Sequence, residues 1–120
     1  MINAILGKKI GMTHVFDNDG NVVPVSVLQV GPCYVLQKKS AEKDGYSAIQ
    51  IGFDEKRQKS CNKAEAGHFL KANVSPKRFI KELIVDNKTL DGINVGDKLE
   101  VGTILKDFKY VDVIGISKGL

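Results

Sequence analysis

The chemistry best supported by residue type and spacing in this sequence is phosphate neutralisation, concentrated between Lys56 and Lys81. Lys56, Arg57, Lys59, Lys63, Lys71, Lys77, Arg78 and Lys81 are eight of the eighteen Lys and Arg residues, and Glu65 is the only acid among them. That segment carries +7 and the other ninety-four residues −3, so a net charge of +4 conceals a basic middle in a slightly acidic body. Basic residues that displace counterions from phosphates leave this asymmetric charge map. A solvated loop kept soluble by its lysines is the plainer alternative, but one sign of charge is concentrated here rather than mixed with the other. Arg78 has the planar fork suited to gripping a phosphate, whereas the lysines act as point charges. Lys8, Lys9 and Lys118 are weaker candidates for bordering the same surface. His68 stands between a nucleic-acid contact and a structural role, and Phe69 reads more readily as a core anchor than as a stacking platform. Nothing in the pattern calls for base reading, because shape and phosphate contacts suffice for folded RNA.

Other chemistries find less support. Residues 7–13, GKKIGMT, resemble a phosphate-binding loop only loosely. They place three residues rather than four between the glycines, continue as Met-Thr rather than Lys-Ser/Thr, and lead into a strand instead of a helix. Asp17-Asn18-Asp19-Gly20 is a turn without the later oxygen ligands of a calcium loop. Cys33 and Cys61 lie in dissimilar contexts with no CxxC spacing, so they are expected as reduced, unpaired thiols. Together with His14 and His68 they lack the ligand spacing of a zinc module. No serine, cysteine or threonine has a recognisable nucleophile context. The expectation is a protein that is not an enzyme and carries no metal or cofactor.

The elements that must position the basic stretch read as short strands. Val, Ile and Gly are frequent and Trp is absent, which favours a sheet-rich single domain over residues 1–120. Residues 2–6 and 10–16 read as extended, interrupted at Gly7-Lys8-Lys9, with a turn at residues 17–20. Residues 22–30 form a strand with Val23, Val25 and Val27 on one face, and Pro24 demands an edge or a bulge. Residues 33–38 form the next strand. Asp44-Gly45 reads as a hairpin turn into residues 46–53. Asn62 followed by Glu65 is a capping box opening a short helix over residues 65–72, ended before Ser75-Pro76. Residues 79–85, 98–104 and 110–116 complete the strands, with Phe79, Leu83 and Val85 on one face. Six or seven short strands with one basic helix-and-loop insertion suggest a small β-barrel. No apolar run approaches the roughly twenty residues that cross a bilayer. Charges follow the apolar residues at the N-terminus, the reverse of a secretory signal, so a cytoplasmic location is expected.

Three stretches carry a family resemblance: residues 7–27 (GKKIGMTHVFDNDGNVVPVSV); residues 44–53 (DGYSAIQIGF) leading to 67–79 (GHFLKANVSPKRF); and Leu105 followed by residues 112–119 (DVIGISKG). In order and spacing the sequence resembles the bacterial form of the large-subunit ribosomal protein three family across essentially its whole length. The resemblance implies a translation-protein type β-barrel that binds large-subunit (23S-type) rRNA, contacts neighbouring large-subunit proteins and helps nucleate subunit assembly. In that family the C-terminal signature continues into a long extension that reaches toward the peptidyl-transferase centre, and the chain then returns to complete the barrel. This sequence stops at Leu120. Roles of the extension and the returning strands are therefore not carried over. Three alternatives stay open on sequence: a reduced rRNA-binding protein, a split piece or paralogue that engages another protein through an open barrel edge, and part of a longer chain.

Overall fold

The computed structural model describes residues 2–120. Strands β1 (Gly7–Phe16) and β2 (Val22–Val30) form a two-stranded antiparallel ribbon. Phe16 faces Val22 at the turn and Gly7 faces Val30 at the open end. The expected break at residues 7–9 is instead a single strand with an irregular register between Lys9 and Gly11. The turn works as its residue types dictate. Asp17 Oδ1 accepts from the Asn21 and Asp19 amides at 2.8 and 3.0 Å, and Gly20 takes φ +82°. These bonds, the Asn21 amide foremost, hold the Asp17 carboxyl below its ordinary range. Pro24 lies opposite His14 in a ribbon where both strands are edges, which accommodates its missing N–H.

The second sheet holds most of the core. Strands β3 (Cys33–Lys39), β4 (Ala48–Glu55), β5 (Lys77–Ile84) and β6 (Lys98–Leu99) lie in the antiparallel order β5-β4-β3-β6. Between β3 and β4 the chain makes a short helical turn, α1 (Ala41–Asp44), where a hairpin turn was expected. Ser40 Oγ accepts from the Lys43 amide, and Gly45 ends the turn at φ +83°. The strands still meet antiparallel, with Lys39 opposite Ala48.

Strand β4 does not alternate between buried and exposed residues, because both of its faces are covered. Ile49, Ile51 and Phe53 pack with Cys33, Val35, Val85, Leu90, Ile93 and Leu99. Ile2, Ile5 and Leu6 from the N-terminal segment close that side. Helix α3 (Asn87–Asp91) supplies Leu90 and is capped by Asp86, whose carboxylate accepts from the Thr89 amide. On the other side, helix α2 (Lys63–Lys71) brings Phe69 against Leu36 and Ala72. Half of the expected capping box forms: Asn62 Oδ1 accepts from the Glu65 amide at 2.8 Å, starting the helix two residues earlier than the sequence suggested, while the Glu65 carboxylate turns to Lys56. Phe69 is a core anchor.

The C-terminal part departs most from expectation. Strand β6 is two residues long and runs directly into α4 (Val101–Ile104) in place of a strand over 98–104. Residues 110–116 have no regular structure and lie exposed, despite their alternating pattern. A strand needs a partner to satisfy its backbone, and among the described residues none is placed beside them. Phe79 is half exposed, while Val85, expected on the same face, is buried. The protein is mainly β, as expected. Its described strands form two antiparallel sheets, with no strand ladder joining them into a closed barrel.

Candidate nucleic-acid interface

The basic insertion is pinned to the sheet at both ends. It leaves β4 after Glu55, passes a 3₁₀ turn at Gln58–Ser60, forms α2 and re-enters the sheet as β5. Lys56 Nζ bonds Glu65 Oε2 at 3.2 Å, tying the start of the insertion to the first turn of α2. That acid sits near the positive helix end, where a carboxylate is favoured.

Adjacent residues at the re-entry have opposite roles. Lys77 is 3% exposed, and its ammonium is held by Glu55, directly across the β4–β5 ladder, and by Ser75 Oγ at 3.0 Å. The same ammonium lies 4.4 Å from the centroid of the Tyr34 ring, a cation–π contact. Gly52 makes room for this path: a Cβ there would come within 2.8 Å of Lys77 Cγ and 3.0 Å of Leu36 Cδ1. The Lys77 bond is the main reason the Glu55 carboxyl lies below its ordinary range; Ser75 adds to the shift against a desolvation penalty. Lys77 therefore leaves the candidate RNA surface, because its charge is already spent inside the fold. Arg78 points outward, with its side chain 61% exposed.

Arg78 is also where the ribbon joins the insertion. Its Nε lies 3.8 Å from Asp54 Oδ2, and Lys8 Nζ from β1 lies 3.5 Å from Asp54 Oδ1. Asp54 holds a left-handed backbone with φ +69°, which Asp and Asn tolerate better than most side chains. Sequence positions 8 and 78 thus become neighbours across one carboxylate.

The remaining cations are spread over several elements. Lys9, Arg57, Lys59, Lys63, Lys71, Lys81 and Lys118 are exposed, and among the described residues none takes part in an ion pair. Lys118 belongs to the irregular C-terminal segment, outside the insertion. His68 is half buried, with Nε2 2.6 Å from Gln50 Oε1, so the ring donates to the amide oxygen and is oriented by the sheet. It lines an open groove of about 480 Å³ with Lys71, Lys38, Lys43, Asp44 and Gln37. Lys38 and Lys43 are additions that the sequence did not single out. They lie in β3 and α1, outside the basic run, and only the packing of α2 over the sheet brings them beside Lys71. Lys39, next to Lys38, pairs with Glu82 at 3.2 Å, and Tyr46 Oη donates to the same carboxylate at 2.7 Å.

The arrangement is chemically simple. Exposed cations lie on several elements around a rigid sheet, and no group of three or more potential metal-ligating side chains is found among the described residues. Cys33 is buried and Cys61 half buried, both as free thiols. No described helix is long and apolar enough to cross a membrane.

Comparison with known proteins agrees with the resemblance in the sequence. The chain is 52% identical over 118 residues to the large ribosomal subunit protein uL3 of Fusobacterium nucleatum, an alignment covering 98% of this chain. The chain spans 54% of that relative, about half its length. No protein-family model matches the chain.

Proposed function

We propose that this protein is a structural constituent of the large ribosomal subunit, binding large-subunit rRNA through backbone phosphates and shape and helping to nucleate assembly. Its similarity to a large-subunit protein over nearly the whole chain carries this reading. The exposed cations of the basic insertion, together with Arg78 and Lys8, support it, because multiple phosphate contacts need charge spread over a folded surface rather than a pocket. Its partners are large-subunit rRNA and neighbouring ribosomal proteins, and its location is the ribosome in the cytoplasm. The contact set is Lys8, Lys9, Lys56, Arg57, Lys59, Lys63, His68, Lys71, Arg78, Lys81 and Lys118, extended by Lys38 and Lys43. The protein performs no catalysis in this role.

A direct test is binding of the purified chain to large-subunit rRNA fragments across a salt series. Six or more phosphate contacts predict an affinity that falls by about 10³-fold or more between 50 and 200 mM salt. Salt-independent binding, or none, would overturn the proposal. A second reading, a protein-interaction module, is favoured by one observation. Both ribbon strands and β5 leave an unpaired edge among the described residues, which is what strand addition requires.

A further inference from the structure

We infer that Asp54 is a built-in competitor for the phosphate site formed by Lys8 and Arg78, setting an affinity threshold that weakly held RNA does not pass. This rests on the RNA-binding reading above. The carboxylate lies between the two cations, at 3.5 Å from Lys8 Nζ and 3.8 Å from Arg78 Nε. A phosphate approaching either cation meets the negative charge already there. Arg78 meets Asp54 through Nε at 3.8 Å, and its side chain is 61% exposed, which leaves the guanidinium open to an incoming phosphate.

The carboxylate is fixed in place. Asp54 is in β4, the strand covered on both faces, and its backbone is held at φ +69°. With a side chain only 24% exposed, it cannot retreat freely into solvent when a phosphate arrives. RNA that makes many contacts elsewhere tolerates this repulsion, whereas RNA held by a few phosphates falls out of the binding range. The penalty is the same for any phosphate seated there, so it sets a floor on affinity.

The substitution that isolates the charge is Asp54→Asn, because Asn is equally tolerant of the left-handed backbone. Asp54→Gly is the second variant, removing the carboxylate with a residue that suits this φ. Asp19→Asn is the control. It changes net charge identically in the turn beyond Phe16, roughly 27 Å along β1 from Lys8 and beyond the screening length of about 10 Å at 0.1 M salt. The ligand is a duplex RNA of sequence unrelated to rRNA. For a phosphate about 6 Å from the carboxylate in water, removing the charge raises affinity about threefold. Both Asp54 variants are expected to bind that RNA about threefold more tightly at 0.1 M salt, with the gain shrinking as salt rises, while Asp19→Asn matches wild type. If both Asp54 variants bind like wild type or like the control, the inference is overturned while the rRNA reading stands. If the wild-type chain binds neither rRNA nor the unrelated duplex, both fall together.

Discussion

Replacing Lys77 by alanine should unfold the protein more readily without removing a phosphate contact, although Lys77 lies in the most basic part of the sequence. The substitution deletes three buried methylenes of a side chain that runs over Gly52, worth about 0.8 kcal/mol each. It also deletes the bond to Glu55, which is worth about 1 kcal/mol or less because that carboxylate is largely exposed. Releasing a fully ordered lysine returns about 1–2 kcal/mol of side-chain entropy. The net loss is about 2 kcal/mol, and for a chain of this size that lowers the melting temperature by roughly 6–10 °C. Arg78→Ala should do the reverse. The melting temperature should stay within about 1 °C, because exposed ion pairs contribute little, while rRNA affinity falls and the salt slope drops by about 0.7–0.9. Calorimetry, and a salt series of binding curves taken well below the melting temperature that it reports for each variant, separate the two effects. If Lys77→Ala melted like wild type and flattened the salt slope, the buried path of this side chain would be refuted.

Three further outcomes follow from the same geometry. Gly52→Ala should destabilise by about 1–3 kcal/mol in a urea titration, because the new methyl meets Lys77 Cγ and Leu36 Cδ1 in a filled space. Asn62→Ala removes the acceptor for the Glu65 amide and should cost about 1 kcal/mol, visible as earlier exchange of the α2 amides with deuterium. Lys77 lowers the Glu55 carboxyl in the folded state, so the bond contributes stability above the unfolded carboxyl range. That contribution is lost as pH falls through the folded value. Wild type should therefore lose more stability than Glu55→Gln between about pH 5 and pH 3, and equal pH profiles for the two proteins would contradict the pairing.

Much of the local structure was legible because it is written in short-range chemistry. Asp17 to Gly20 specify their turn, Asn62 and Glu65 specify the start of α2, and Pro24 specifies an edge. Features set by distant neighbours were not legible. That both faces of the strand within residues 46–53 are covered was not legible, because α2 packs over the face that a period of two would leave to water. Residues 110–116 carry a strand pattern, but pattern alone does not supply a partner strand. Lys77 and Arg78 both read as phosphate contacts in sequence, and only the bare Gly52 and the cross-strand Glu55 draw Lys77 inward. The Lys8–Asp54–Arg78 junction required knowing that the ribbon lies beside the second sheet. Lys38 and Lys43 required knowing that α2 packs over β3.

The central claim is residence on the large ribosomal subunit, and quantitative peptide mass spectrometry of salt-washed large subunits from the organism that encodes this chain tests it most directly. The account predicts peptides spanning residues 7–81 at about one copy per large-subunit rRNA, released only at high salt. Subunits that lack these peptides, in cells where the protein is made, would contradict it.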